Sequence, residues 1–103
     1  MMNNIILVGK LSTIKEIENG IIVSIRVPRN YKNENGIYEN DFIDCYLYGN
    51  VAEQTKTYCK IDDTLGIKGR IQTEYFKGEK TMQIIAERIT FLSSNPNLKK
   101  EDE

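Results

Sequence analysis

The chain has 103 residues, enough for one domain that buries a core without metals or disulfides. Its apolar share of 40% is ordinary for a globular protein, and no apolar run approaches the roughly 18–20 residues that span a bilayer. There is no histidine, which removes the commonest general base, the commonest metal ligand and every histidine-based triad. The carboxylates are scattered and no glycine-rich phosphate loop is present, so neither an enzyme nor a cofactor or metal site is expected. Cys45 and Cys59 are too few for a disulfide framework and lack metal-ligand spacing; both are expected to be structural. The start, MMNNIILVGK, has an apolar run of four residues and no small-residue cleavage site. It does not look like a signal peptide, and a cytoplasmic protein is expected. The 14 basic and 15 acidic residues give a net charge of −1; Lys99, Lys100, Glu101, Asp102 and Glu103 stand apart at the end, which leaves 12 against 12 in residues 1–92. Any site for a polyanion must therefore come from local arrangement.

Strand signals dominate the chain order. Ile5, Ile6, Leu7 and Val8 form a continuous apolar run leading into Gly9-Lys10-Leu11. Both faces of this strand are expected to be buried, one of them against a partner chain. Glu18-Asn19-Gly20 is a turn signal. Ile21, Val23, Ile25 and Val27 then alternate along a second strand, which Pro28 is expected to end because proline cannot donate to a ladder. A polar loop, RNYKNENGIYENDF over residues 29–42, carries Tyr31, Tyr38 and Phe42, with Asn35-Gly36 as a turn near its tip. From Asp41 to Tyr48 the pattern alternates: Ile43, Cys45 and Leu47 make a core face, and Phe42, Asp44, Tyr46 and Tyr48 the opposite one. VAEQTKTYCK reads as a short helix with Val51, Thr55, Tyr58 and Cys59 on its inner side. Leu65, Ile67, Gly69 and Ile71 mark a fourth strand, with Gly69 at a bulge or close backbone approach. Residues 74–80 form a hairpin tip, Thr81 to Leu92 a last strand whose Phe91 is expected in the core, and residues 93–103 a short flexible tail. An all-β chain of five strands with one short helix between the third and fourth matches an OB-fold, a five-stranded Greek-key barrel, over residues 1–92.

Single-stranded nucleic acid needs flat apolar surfaces for its bases and cations along its phosphates. Phe42, Tyr46 and Tyr48 share one strand face, the preceding loop adds Tyr31, and the 74–80 hairpin adds Tyr75 and Phe76. Cations lie near each group: Arg26, Arg29 and Lys32 before the third strand, Lys68 and Arg70 on the fourth, Lys77 and Lys80 at the hairpin. Strand aromatics also pack against cross-strand neighbours, so the alternation alone leaves packing open for Phe42 and Tyr48 and favours it for Tyr46 and Tyr58. An OB-fold serving as a protein-interaction module of a replication restart complex is the alternative, suggested by the near-neutral charge. An enzyme using Cys45 or Cys59 is disfavoured, because no base accompanies either thiol.

The ordered set NNIILVGKL, NENG, DFIDCYLYGNVAEQTKTYCKIDD, LGIKGRIQTEYF and MQIIAERITFL resembles the bacterial and phage single-stranded DNA-binding proteins from Asn3 to about Leu92. The resemblance implies binding and protection of single-stranded DNA in replication, repair or recombination, with the principal base-stacking rings at Tyr31, Phe42, Tyr48 and Phe76. Arg29 corresponds to a basic residue of some members. Family members generally assemble as homotetramers from dimers that pair through the first strand, which implies a partner for Ile5, Ile6, Leu7 and Val8. Glu74 and Asp44 stand where many and some members, respectively, carry a basic residue, and tryptophan, frequent at the stacking positions, is absent. The chain stops at Lys99-Lys100-Glu101-Asp102-Glu103 without the terminal Pro-Phe that recruits replication and repair partners in bacterial members, so recruitment through the tail is not expected.

Overall fold

A computed structural model describes residues 1–93 of the chain. Its elements are β1 (Ile5–Ile17), β2 (Gly20–Lys32), β3 (Tyr38–Tyr48), α1 (Gly49–Tyr58), β4 (Thr64–Phe76) and β5 (Glu79–Ser93). The strands close into a barrel in the order β1-β2-β3-β5-β4, so the fold is the five-stranded OB barrel expected. Four of the pairings are antiparallel; β3 meets β5 in parallel through Cys45↔Ile84 and Tyr46↔Ile85. Of the tail expected over residues 93–103, only Ser93 lies among the described residues, as the last residue of β5.

The period-two alternation places the core as anticipated. Ile21, Val23 and Ile25 of β2, Cys45 and Leu47 of β3, Leu65 and Ile67 of β4 and Leu11 of β1 meet inside the barrel. Ala52 and Thr55 of α1 close its end, and Thr55 donates its hydroxyl to the Val51 carbonyl at 2.8 Å, so no polar atom is stranded there.

β1 serves two neighbours. Ile5 to Lys10 pair with β4, and Lys10 to Ile17 pair with β2. The strand must bend sharply to do so, and the register shift between Leu11 and Thr13 marks the bend. Gly9 is packed so closely there that a Cβ would lie 2.5 Å from the Arg26 carbonyl oxygen. Gly69 combines both features expected of it: the β4–β5 register shifts between Lys68 and Gly69, and a Cβ would strike the Ile85 carbonyl.

Several expectations are corrected. Pro28 does not end β2, which runs on to Lys32. β1 pairs with β2 no further than Arg26, so Pro28 sits on an open edge with only β3 beside it (Pro28↔Asn40), and its missing N–H breaks no ladder. The polar loop is thus largely a two-stranded arm. Its tip is closed by Asn33, whose side-chain oxygen accepts the N–H groups of Asn35 at 2.9 Å and Ile37 at 3.0 Å. The β4–β5 hairpin is a second arm, turned by Lys77 and Gly78 at φ 52° and 81°, the left-handed pair of a two-residue turn. Tyr58 and Phe91 are not core: both rings lie at the surface and pack on each other, 6.1 Å between centroids. They stand near the ends of α1 and β5, with Phe91 still paired to Leu65 in the β4–β5 ladder.

Candidate nucleic-acid interface

The outer face of β3 carries the first two rings. Phe42 and Tyr48 lie six residues apart on that face, roughly 20 Å along the strand. Both are exposed, because Ile43, Cys45 and Leu47 take the inward positions. The Tyr48 ring lies across Gly20, its ladder partner. Tyr31 projects from the β2–β3 arm, and Phe76 stands at the tip of the β4–β5 arm. All four rings are between 42% and 69% exposed. Tyr46 is half-buried between Ile22 and Ile85, as its packing role required. Tyr38 and Tyr75 are also exposed; Lys32 Nζ stands 5.6 Å from the Tyr38 ring, and Lys77 Nζ 5.4 Å from the Phe76 ring. Cations poised over rings leave both the charge and a ring face free for a nucleotide.

The expected cations fall into distinct groups. Arg29 is committed within the arm: its Nε and Nη2 donate to Asp41 at 3.2 and 2.9 Å, and its Nη1 reaches Glu39 at 3.3 Å. That hydrogen bond to Asp41 raises the guanidinium pKa further and holds the Asp41 carboxyl below its usual range. Arg70 reaches Glu87 at 3.3 Å and Gln72 at 2.8 Å, and Gln72 in turn donates to Glu74 at 3.2 Å. Lys68 lies opposite Ile6 and Arg88 on the outer face of β4, away from the β3 rings. Arg26 stands directly opposite Phe42. Arg26, Lys32, Lys68 and Lys77 form no ion pair with a carboxylate among the described residues.

The apolar run of β1 divides as a strand must. Leu7 packs against the barrel core and Ile5 is half-buried opposite Gly69. Ile6 and Val8 point outward, 73% and 52% exposed, so these two are what the strand offers to a partner. Burial pushes the thiols up, Cys45 to about 12 and Cys59 to about 11, with Asp44 and Asp63 adding smaller shifts in the same direction. Thiols held protonated are poor nucleophiles.

A model described as the single-strand binding protein family matches residues 2–92. The chain belongs to that family. Its function is non-enzymatic binding of single-stranded DNA. Among relatives of this family member, the single-stranded DNA-binding protein B of Bacillus subtilis is 29% identical, over 99% of this chain and 100% of its own length. The single-stranded DNA-binding protein of Oceanobacillus iheyensis is 34% identical over 91% of this chain and 65% of its own. The barrel also matches a Plasmodium falciparum single-stranded DNA-binding protein solved with DNA, at TM-score 0.68 and 16% identity, over 90% of this chain and 96% of that one. A small single-stranded DNA-binding protein of Mycoplasma pneumoniae matches at TM-score 0.63 and 22% identity, over 93% and 96%. At these identities the two structures share the fold. Neither the family match nor the relatives favour the interaction-module alternative.

Proposed function

We propose that single-stranded DNA crosses the outer face of β3 between the two arms, its bases stacking on Tyr31, Phe42, Tyr48 and Phe76. The observation that carries this reading is the exposure of these four rings on the outer face of β3 and on the two arms. A ring left in water adds nothing to the fold, whereas each stacked base is worth about 1–3 kcal/mol. Stacking tolerates any base, so binding is largely independent of sequence. Arg26, Lys32 and Lys77, which form no ion pair among the described residues, meet phosphates along the way, whereas Arg70 is held by Glu87 and Lys68 lies on β4 away from the β3 rings. Arg29 acts differently, holding the two strands of the arm together through Asp41 and Glu39 and so fixing where Tyr31 and Phe42 stand.

The binding unit is residues 1–92, working in the cytoplasm to protect exposed strands during replication, repair or recombination. Four copies assemble by pairing Ile6 and Val8 of neighbouring β1 strands and then joining two such dimers, which lets one strand wrap around the assembly. Titration with oligo-dT, following tyrosine fluorescence, tests the interface; quenching with saturable binding at low salt is expected. Unchanged fluorescence and no mobility shift would refute it. Solution mass with and without a long oligo-dT tests the assembly, and a monomer under both conditions excludes the tetramer.

A further inference from the structure

We propose that Lys10 and Arg26 together form a phosphate-binding station beside Phe42, which carries the DNA path off β3 and across β2 onto β1. This rests on the reading that the protein binds single-stranded DNA, and it adds a residue, Lys10, outside the aromatic strands and arms.

The strand registers place four residues in one transverse row: Thr64 of β4 opposite Lys10, Lys10 opposite Arg26, and Arg26 opposite Phe42. Gly9, Leu11 and Ile25 are buried inside the barrel, so Lys10 and Arg26 both stand on the outside with Phe42. Directly opposed residues of an antiparallel pair have Cβ atoms about 4.5–5.5 Å apart, and like charges so placed destabilise the sheet. Arg29 is neutralised by Asp41, Arg70 by Glu87, and Lys56 by Glu16 and Glu53. Lys68 and Arg88 also oppose each other without an ion pair among the described residues, but on the β4–β5 ladder, where no aromatic ring of β3 stands beside them. Lys10 and Arg26 form no ion pair among the described residues. Asp62, on the flank of the same row beside Ile61, shares a small pocket with them but is not within ion-pair distance.

Two cations held side by side without a counter-ion cost stability until an anion bridges them. A phosphodiester does that, since it offers two charged oxygens and arrives attached to the base stacked on Phe42. The space for it is present. A shallow cleft of about 480 Å³ opens on this face between Pro28, Asn40 and Thr64, with Lys10 and Arg26 among its walls and Val8, which the proposed β1–β1 contact would cover, at its edge. Asn40 precedes Phe42 by two residues on the same strand face, and Arg26, which lines the cleft, stands directly opposite the ring.

The experiment measures the affinity of the full chain for a fluorescent oligo-dT across a range of salt concentrations. Removing one phosphate-binding cation lowers the magnitude of the slope of log K against log salt by about 0.7 for a single strand. Lys10→Gln and Arg26→Gln are each expected to lose one such step, and the double variant two. Lys10→Arg keeps the wild-type slope, as does Lys56→Gln, which removes a cation far from the row. Thermal melts of Lys10→Gln and Arg26→Gln are expected at or above the wild-type midpoint, because the repulsion is relieved. Wild-type slopes in both Gln variants overturn the station while leaving DNA binding intact. Absence of oligo-dT binding by the wild-type protein overturns the underlying reading, and the station with it.

Discussion

Replacing Phe42 with alanine separates binding from folding. The side chain is 60% exposed, which leaves 40% of it covered. A fully buried aromatic side chain hides roughly 150–250 Å². At about 25 cal/mol per Å², the covered share of Phe42 contributes roughly 1.5–2.5 kcal/mol to the fold, and this is an upper bound because unfolded chains also bury surface. A domain of this kind is stable by about 5–15 kcal/mol, so Phe42→Ala remains folded. Loss of one stacked base removes about 1–3 kcal/mol of binding, which weakens affinity roughly 5- to 150-fold. Fluorescence anisotropy with labelled oligo-dT reads the first quantity and a thermal melt the second. Ile25→Ala is the control with the opposite signature: Ile25 is fully buried, so its truncation costs about 2–5 kcal/mol of stability, and the protein that stays folded binds normally. If Phe42→Ala binds oligo-dT with wild-type affinity while melting as early as Ile25→Ala, Phe42 is a packing residue and the proposed interface is wrong.

Gly9→Ala is expected to cost about 1–3 kcal/mol, the usual range for overpacking, because its Cβ would lie 2.5 Å from the Arg26 carbonyl oxygen; an unchanged melting temperature contradicts this. Burial raises the Cys45 thiol from 9.0 to about 12, so the folded state keeps a proton that the unfolded chain releases. That stabilisation is complete below pH 9 and falls by about 1.4 kcal/mol per pH unit as pH rises toward the folded value. Denaturant melts at pH 8 and pH 10.5 should therefore show a smaller pH-driven loss in Cys45→Ala than in wild type, and equal losses refute the assignment. The hydrogen bond from Arg29 holds the Asp41 carboxyl below its ordinary value of 3.8. The clamp accordingly stabilises the arm above that value and is lost as pH falls through the lower folded value. An NMR titration should find the Asp41 midpoint higher in Arg29→Gln; an identical midpoint shows that the ion pair does not form in solution.

Local alternation was enough to read the barrel wall from the chain. Ile21, Val23 and Ile25 face inward because strand side chains alternate, and Cys45 and Leu47 follow the same rule without knowledge of their neighbours. The exposure of Tyr31 and Phe76 was legible because each sits among polar residues that cannot make a core. Pro28 was misread because whether a proline breaks a ladder depends on having strands on both sides, and the end of β1 is a tertiary fact. Tyr58 and Phe91 follow the apolar periodicity of their elements, but they lie near the ends of α1 and β5, where the two rings pack on each other at the surface. The Arg29–Asp41 pair joins residues twelve apart across a hairpin, and the Lys10–Arg26 pair joins two strands. Both depend on register, which one-dimensional patterning does not specify. Lys10 in particular hid within the apolar run of β1, where its only signal was being the one charged residue between Gly9 and Leu11.

The two parallel pairs between β3 and β5 are a small feature with a consequence for folding. β1, β2 and β3 are joined by short turns and can zip together as a meander, and β4 with β5 forms a hairpin across two residues. Each of these assemblies closes only short loops. The seams β1–β4 and β3–β5 instead join residues far apart in the chain, such as Ile5 with Gly69 and Cys45 with Ile84, and loop-closure entropy must be met before those contacts reward it. The two seams therefore carry most of the loop-closure cost of the fold. The rings of β3 and the tip of the β4–β5 arm are joined across the β3–β5 seam, so the proposed DNA path depends on one of the least local contacts of the fold.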